Sequence, residues 1–292
     1  MNKTASIFLI LLIYIVVQGI AIWISKGDPV VVKKGIVQKV EEGEIPTPIE
    51  NPEKPEASLE IFGMILFMTL IMLLLIKINL RFLIKALTYF VMLFGLMFTF
   101  WNILDFLGLL ISLLLFSIYM IKRNAIASNF MLLFVIPGIG SWLGSSLALI
   151  PSLILLLGLS IYDIISVFLT KHMVTLAEGV KSFTTQPDTK GSEHIDLRKV
   201  RVEVPLMFSI PFENRVLGLG TGDLAIPVTF TISVLKEFSL LAAVLTAIGG
   251  MFGLLSLLIY LSKKENVVLP ALPPIALGLL LGFFSSFISQ NL

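Results

Sequence analysis

The hydrophobic and polar positions of this chain alternate in long blocks rather than residue by residue. Apolar runs of about 20 residues, long enough to cross a bilayer as helices, recur from end to end and are separated by short polar breaks. They predict nine spans, at approximately residues 6–25, 59–76, 82–101, 103–121, 128–147, 151–170, 214–235, 238–262 and 268–288. We therefore expect an all-α polytopic membrane protein with nine transmembrane helices, forming a single membrane-embedded domain over residues 1–292.

Two longer polar segments interrupt this pattern. Residues 26–58 mix lysines, acids and prolines, which is typical of a solvated and partly extended loop. Residues 171–211 are predicted to form a hydrophilic loop between spans six and seven, and this loop contains both His172 and His194. The first run, 6–25, is too long for a signal peptide and no small-x-small cleavage site follows it, so we expect a retained anchor helix.

Composition agrees with a membrane protein and removes several classes of chemistry. The chain is 57% hydrophobic and 14% charged, with a mean hydropathy of +1.00, which excludes an ordinary soluble domain. It has no cysteine, which excludes disulfides, thiolate catalysis and cysteine-ligated metals. Two histidines leave little for a histidine metal site. We expect no metal, no cofactor and no nucleic-acid partner.

The lysines and arginines predict the orientation, because they remain preferentially on the cytoplasmic side of a membrane. With the N-terminus inside, fifteen of the 21 fall in inner segments and six in outer ones. We therefore place the chain in the cell membrane with a cytoplasmic N-terminus. An odd number of spans then makes the C-terminus extracellular.

Two aspartates stand inside predicted spans, Asp163 in the sixth and Asp223 in the seventh. A carboxyl at the centre of a span costs roughly 2.5–3.5 kcal/mol on insertion scales, so it is normally kept for function. Asp163 precedes Lys171 by eight residues, and Asp223 follows Arg215 by eight. At the helical rise, both would lie about 12 Å from the cytoplasmic edge. One such carboxyl could be a structural hydrogen-bond donor, but the matched depth favours a pair.

A carboxyl pair in a low-dielectric site shares one proton, because both members cannot ionise together. The ionised member can take a proton from water while the protonated member polarises a carbonyl. Such a pair can hydrolyse an amide through a gem-diol, without a metal or a covalent intermediate. An ion-coupled transporter can also use two buried aspartates, and a scaffold with two structural carboxyls is a third interpretation. The two halves of the chain show no inverted symmetry of the kind that would favour a transporter.

The residues around these spans add two further features. Gly218, Gly220 and Gly222 precede Asp223, and Pro227 follows it. This pattern indicates either close helix packing or a weakened helix that admits water and an extended peptide. Residues 270–273, Pro270-Ala271-Leu272-Pro273, begin the ninth span and are either an ordinary proline-containing helix start or a segment near the level of the aspartates.

Together these motifs resemble the presenilin and signal peptide peptidase family, the intramembrane aspartyl proteases of the Gly-x-Gly-Asp type. The residues that carry the resemblance are Tyr162-Asp163, Gly220-x-Gly222-Asp223 and the 270–273 segment, and it covers the nine-span plan. The resemblance implies that Asp163 and Asp223 are the catalytic pair. It implies that Tyr162, Gly220 and Gly222 support the active site, and that Pro270, Ala271, Leu272 and Pro273 support the substrate-binding face.

The resemblance also implies the reaction and the partners. We expect an aspartic endopeptidase that cuts transmembrane helices of other proteins, which enter laterally from the lipid bilayer. The intact 270–273 segment and the inward N-terminus look presenilin-like, whereas Asp223-Leu-Ala-Ile-Pro227 looks closer to signal peptide peptidases. The compact loops and the lack of cysteine suggest a microbial, archaeal homologue. We expect a single uncut chain that needs no obligatory partner subunits.

The segment before the seventh span has the period of a strand. Val200, Val202 and Val204 alternate with charged residues. The segment could be a surface strand folded onto its own loop. Alternatively, Val202 could lie in a strand that pairs with the substrate and holds its backbone open for hydrolysis.

Overall fold

The computed structural model describes residues 3–26, 56–78, 80–170, 184–185, 200–202, 207–212, 215–263 and 269–290. In these residues the chain forms nine α-helices. They are α1 (Lys3–Ser25), α2 (Glu56–Lys77), α3 (Arg81–Leu104), α4 (Phe106–Lys122), α5 (Ala125–Ser146), α6 (Leu149–Ile165), α7 (Gly222–Glu237), α8 (Leu240–Lys263) and α9 (Leu272–Gln290). A π-helix, Ser166–Thr170, continues α6.

Each predicted span contains one of these helices, but length and composition alone support fewer crossings. Five helices of the described part are long and apolar enough to cross a membrane: α1, α3, α5, α6 with the start of its π-helical extension, and α8. The total of nine spans therefore stays a prediction. The outer surface carries large exposed apolar side chains on most helices, such as Phe8, Phe67, Phe82 and Phe284, as expected where lipid replaces water.

The all-α prediction is incomplete, because the described residues also contain four short strands. β1 (Thr184–Thr185) pairs antiparallel with β2 (Arg201–Val202). β3 (Met207–Phe212) and β4 (Arg215–Gly220) form an antiparallel hairpin in which Ser209 lies opposite Gly218. The hairpin leads directly into α7.

The hairpin corrects the predicted seventh span, 214–235. Residues 215–220 are extended, and the helix begins only at Gly222. Phe208 and Ile210 of β3 are fully buried, so the hairpin joins the hydrophobic core instead of extending a helix. The ninth span, predicted from residue 268, likewise becomes helical only at Leu272.

One face of α1 packs against α5, α7 and α8. Ile10, Tyr14 and Val17 of α1 join buried side chains of α7 such as Leu224 and Val228 in one continuous core. α6, which carries Asp163, packs against α2, α7 and α9, so both helices that carry an aspartate are held from several sides.

Tight turns connect the neighbouring helices α3, α4 and α5. Asp105 has a positive φ of 47° and ends α3, and a Cβ on Gly108 would clash with the backbone of Phe100. Arg123, with φ of 43°, closes α4 in the left-handed conformation. Asn124 then caps α5, since its Oδ1 accepts a hydrogen bond from Ala127 N at 2.8 Å.

Candidate active site

α6 brings Asp163 to the end of the bundle where the hairpin lies. Asp163 is buried and stands two residues before the helix ends at Ile165. The Ser166 hydroxyl donates to the Asp163 carbonyl at 3.0 Å in the π-helix that follows. At the opposite end of α6, Ala148 provides no side-chain cap, and the carboxylate of Glu237 accepts the Leu149 N–H instead.

The carboxyl of Asp163 faces the first residue of α9. Leu272 N–H donates to Asp163 Oδ2 at 3.2 Å, and Ala271 N–H makes a second backbone contact to the same carboxyl. The first N–H groups of any helix lack partners within the helix, so they are available to an acceptor. Pro273 fits here because a proline in the first turn sacrifices no helical hydrogen bond. The 270–273 segment thus directs a helix N-terminus, with its partial positive charge, at Asp163.

Glycines set the position of α9 by letting it approach α8 closely. A Cβ on Gly278 would clash with the Gly249 carbonyl, and a Cβ on Gly253 would clash with the Pro274 carbonyl. Small residues at such sites allow backbones to meet, which is how helices commonly associate in membranes. α8 therefore fixes the start of α9 against Asp163.

Asp223 is the second residue of α7. The N–H of Gly220, the last residue of β4, donates to its carboxyl. A Cβ on Gly220 would lie 2.8 Å from Asp223 Oδ2, whereas a Cβ on Gly222 would meet nothing within 4 Å. A side chain at residue 220 would therefore displace the Asp223 carboxyl, and an acid in the first turn of a helix is also favoured by the helix dipole.

α7 is held along its length by α5. A Cβ on Gly140 would lie 2.5 Å from Val228, and a Cβ on Gly144 would lie 2.6 Å from the Thr229 carbonyl. The Ser233 hydroxyl donates to the Gly144 carbonyl at 3.1 Å. These contacts leave α7 little freedom to slide along its neighbour.

The two aspartates come together at this end of the bundle and interact electrostatically. Each carboxyl receives backbone N–H groups, Asp163 from the start of α9 and Asp223 from the end of β4. In the described part of the chain, no group of three or more histidines, aspartates or glutamates could hold a metal ion. The arrangement therefore provides two adjacent carboxyls and fixed N–H donors, which suits acid–base chemistry on a polar substrate group.

Comparison with known proteins points to one family. The sequence profile of the family described as signal-peptide peptidase, presenilin aspartyl protease matches residues 30–292, about nine-tenths of the chain. The chain belongs to this family. No curated protein matches it.

Solved structures of a presenilin family intramembrane aspartate protease have the same fold. One, in space group C222, has a TM-score of 0.65 and 22% identity, covering 97% of this chain and 99% of that one. Another, in space group P2, has a TM-score of 0.62 and 23% identity, covering 96% of each chain. The predicted resemblance is thereby confirmed at the level of the family. The archaeal origin stays a prediction.

The remaining predicted site residues lie in several different elements. The Tyr162 ring packs edge-on against Phe62 of α2, with ring centroids 6.3 Å apart. Gly218 lies in β4 and Gly222 begins α7, so the alternative in which these glycines allow close packing of a single helix is wrong. Pro227 lies inside α7 and has no N–H, which leaves the Asp223 carbonyl without its helical partner.

Val202 has partners within the chain. Its N–H donates to the Arg123 carbonyl at 2.8 Å, and its carbonyl accepts the Tyr119 hydroxyl at 3.1 Å. Its side chain is buried with Val200 and Ala125. Pairing of Val202 with a substrate would require these bonds to break first. His172, His194 and Val204 lie outside the described residues.

Asn129 is a residue of this site that sequence reasoning missed. Its side-chain amide donates to the Ser209 carbonyl at 2.8 Å and accepts the Ser209 N–H at 2.9 Å, which fastens β3 to α5. The Ser6 hydroxyl of α1 donates to the Pro211 carbonyl at 2.7 Å on the same edge. A lone asparagine within an apolar run was the available signal, because a buried amide in a membrane needs a polar partner.

Proposed function

We propose that the chain is an intramembrane aspartic endopeptidase that hydrolyses peptide bonds in transmembrane helices, with Asp163 and Asp223 as the catalytic pair. The observation that supports this most directly is the meeting of the two carboxyls at one end of the bundle, in a chain of this family. One ionised and one protonated carboxyl supply both the base and the acid that the reaction needs.

The reaction uses only the pair and one water. The ionised carboxyl takes a proton from water as the water oxygen bonds to the scissile carbonyl carbon. The protonated carboxyl gives its proton to the carbonyl oxygen, which forms the gem-diol. When the gem-diol collapses, the carboxyl that took the proton from water gives it to the nitrogen as the carbon–nitrogen bond breaks. The other carboxyl takes a proton back from a gem-diol hydroxyl, so the pair again holds one proton.

An added strand would hold the substrate open, and β4 fits this role better than β2. On β3, the Ser209 N–H and carbonyl both point outward to Asn129, so Ser209 and Gly218 form a non-hydrogen-bonded pair. The Gly218 N–H and carbonyl therefore point to the opposite edge of the hairpin. Gly220 has the same orientation, which is consistent with its N–H reaching Asp223. A substrate strand along β4 would run beside the carboxyls.

Substitution of Gly218 tests this mode of substrate binding. Gly218→Pro removes the outward N–H, whereas Gly218→Ala keeps it while adding a Cβ beside Met207. We expect Gly218→Pro to raise KM for a transmembrane substrate far more than Gly218→Ala does. Equal KM values for the two variants would contradict pairing at β4.

The orientation is proposed on the distribution of charge, and a single chain is proposed because the loop before the seventh span is compact. The pair would lie toward the cytoplasmic side, with the N-terminus inside, the C-terminus outside and no partner subunits. Because the chain lacks cysteine, a single Lys122→Cys substitution reports the side directly. Labelling of that cysteine in intact cells by a membrane-impermeant maleimide would contradict this orientation.

The test of the activity is cleavage of a purified single-span substrate in liposomes by wild type, Asp163→Asn and Asp223→Asn. We expect wild type to cleave and both variants, melting at a similar temperature, to be inactive. Cleavage by either variant at the wild-type rate would contradict the pair. The family match does not favour the transporter alternative, which would instead show substrate flux driven by an ion gradient.

A further inference from the structure

A groove of about 750 Å³ lies between α4 and α5, apart from the two helices that carry the aspartates. Its walls are apolar and include Leu115 and Ile118 from α4 and Ile126 and Phe130 from α5. Ile118, Ile126 and Phe130 are 40%, 45% and 49% exposed, so the groove opens outward on the apolar surface of the bundle. In a membrane this surface meets lipid, and an acyl chain matches the walls chemically.

The mouth of the groove is cationic. Lys122 and Asn124 line it, Arg123 stands between them in sequence, and Arg201 is bridged to Asn124 through the backbone. Within residues 105–146, which form α4, α5 and the turns beside them, the one acid is Asp105, at the opposite end of α4. The described charge at this end of the groove is thus positive, at the end of the bundle where the helices leave the apolar layer.

We propose that this groove binds an anionic phospholipid, with one acyl chain between α4 and α5 and the phosphate at Lys122 and Arg123. Basic pockets between transmembrane helices commonly hold the headgroups of acidic lipids. The long lysine side chain can lie along the apolar wall while its ammonium reaches the phosphate. A zwitterionic lipid would contact the same apolar walls, but its headgroup would be attracted less strongly to the positive charges at the mouth.

The floor of the groove links the lipid to the segment that precedes the catalytic helix. Tyr119 is buried beneath it, and its hydroxyl donates to the Val202 carbonyl. Asn124, at the mouth, caps α5 and pairs with Arg201. A bound lipid would therefore support the docking of residues 200–202, and it should raise the melting temperature of the whole chain.

Native mass spectrometry of the purified full chain in detergent tests the proposal. Phosphatidylglycerol and phosphatidylcholine with identical acyl chains are added at equal concentration. We expect wild type to retain phosphatidylglycerol preferentially and Lys122→Gln to bind it roughly fivefold more weakly. The matched control is Lys263→Gln, the same change at an exposed lysine at the same end of the bundle, which should bind as wild type.

A second variant tests the apolar walls of the groove separately from the positive charge at its mouth. Ile118→Trp fills the groove from its exposed wall without entering the core, and it should reduce retention of both lipids. If Ile118→Trp does not fold, Leu115→Trp replaces it. Equal retention of the two lipids by wild type would overturn the proposal. So would a loss of phosphatidylglycerol binding in Lys263→Gln as large as that in Lys122→Gln. Unchanged lipid retention by Ile118→Trp would show that no acyl chain is held in the groove. Binding of glycerol phosphate alone as tightly as phosphatidylglycerol would show the same.

Discussion

The backbone N–H of Leu272 donates a hydrogen bond to Asp163 Oδ2 at 3.2 Å, which joins the end of α6 to the first residue of α9. Leu272 is 109 residues further along the chain, and its N–H is available only because it begins a helix. The 270–273 segment thus contacts the Asp163 carboxyl through its backbone.

Leu272→Pro tests this backbone contact. A proline is tolerated at the first position of a helix, so the change removes the N–H without breaking α9. Hydrogen bonds to charged groups contribute about 1.5–3 kcal/mol, so we expect cleavage to slow roughly 10- to 100-fold. Leu272→Ala, which keeps the N–H and loses the buried side chain, is the control and should slow cleavage less. A larger loss in Leu272→Ala would place the importance of Leu272 in its side chain.

Gly220 and Gly222 allow a matched comparison beside Asp223. Alanine at Gly220 would place its Cβ 2.8 Å from Asp223 Oδ2, whereas alanine at Gly222 would meet open space. We expect Gly220→Ala to displace the carboxyl and lower kcat about 100-fold, since small misplacements of catalytic groups have effects of that size. Gly222→Ala should leave kcat within a few-fold of wild type. Similar kcat values for both variants would contradict a specific role of Gly220.

Asn129 should stabilise the hairpin that leads to Asp223. Asn129→Ala leaves both backbone groups of Ser209 without their partners, at a cost of roughly 1–3 kcal/mol. The control is Asn102→Ala, because Asn102 is exposed and its amide bonds only within its own helix, to Phe98. We expect a clear drop in melting temperature and in cleavage for Asn129→Ala alone. Unchanged cleavage would show that the hairpin holds its position without the hydrogen bonds to Asn129.

The family prediction is confirmed, and the two aspartates stand out in the sequence because charged residues in apolar runs are rare and costly. The sequence predicts their approach on a partly wrong premise. The predicted depth of Asp223 assumes a helix from Arg215, but residues 215–220 form a strand, which rises about 3.3 Å per residue instead of 1.5 Å. The carboxyls meet where α6 ends and α7 begins, because these two helices pack against each other, and the start of α9 and the end of β4 donate backbone N–H groups to them.

The hairpin escaped prediction because β4 continues an apolar run, while β3 lies almost wholly in residues 171–211, the predicted hydrophilic loop. Val216 and Leu217 are as compatible with a buried strand as with a span, and periodicity cannot separate the two in so short a segment. The hydrogen bonds between Asn129 and Ser209 and the glycine contacts between helices depend on pairs of residues far apart in sequence. Such pairs follow from the packing of helices, which a single sequence does not specify.

The close contact of α8 and α9 provides the last prediction. Alanine at Gly278 would place its Cβ against the Gly249 carbonyl and the Gly253 nitrogen, so the helices must separate. Such overpacking costs about 1–3 kcal/mol, and it should also move Leu272 away from Asp163. We expect Gly278→Ala to lower both the melting temperature and kcat.

Gly63→Ala is the control for this change, because a Cβ there meets nothing within 4 Å and alanine favours a helix. It should leave the melting temperature and kcat unchanged or slightly raised. A Gly278→Ala variant that melts lower but cleaves at the wild-type rate would show that α9 can shift without disturbing Asp163. The hydrogen bond from Leu272 to Asp163 would then not depend on the close packing of α8 and α9.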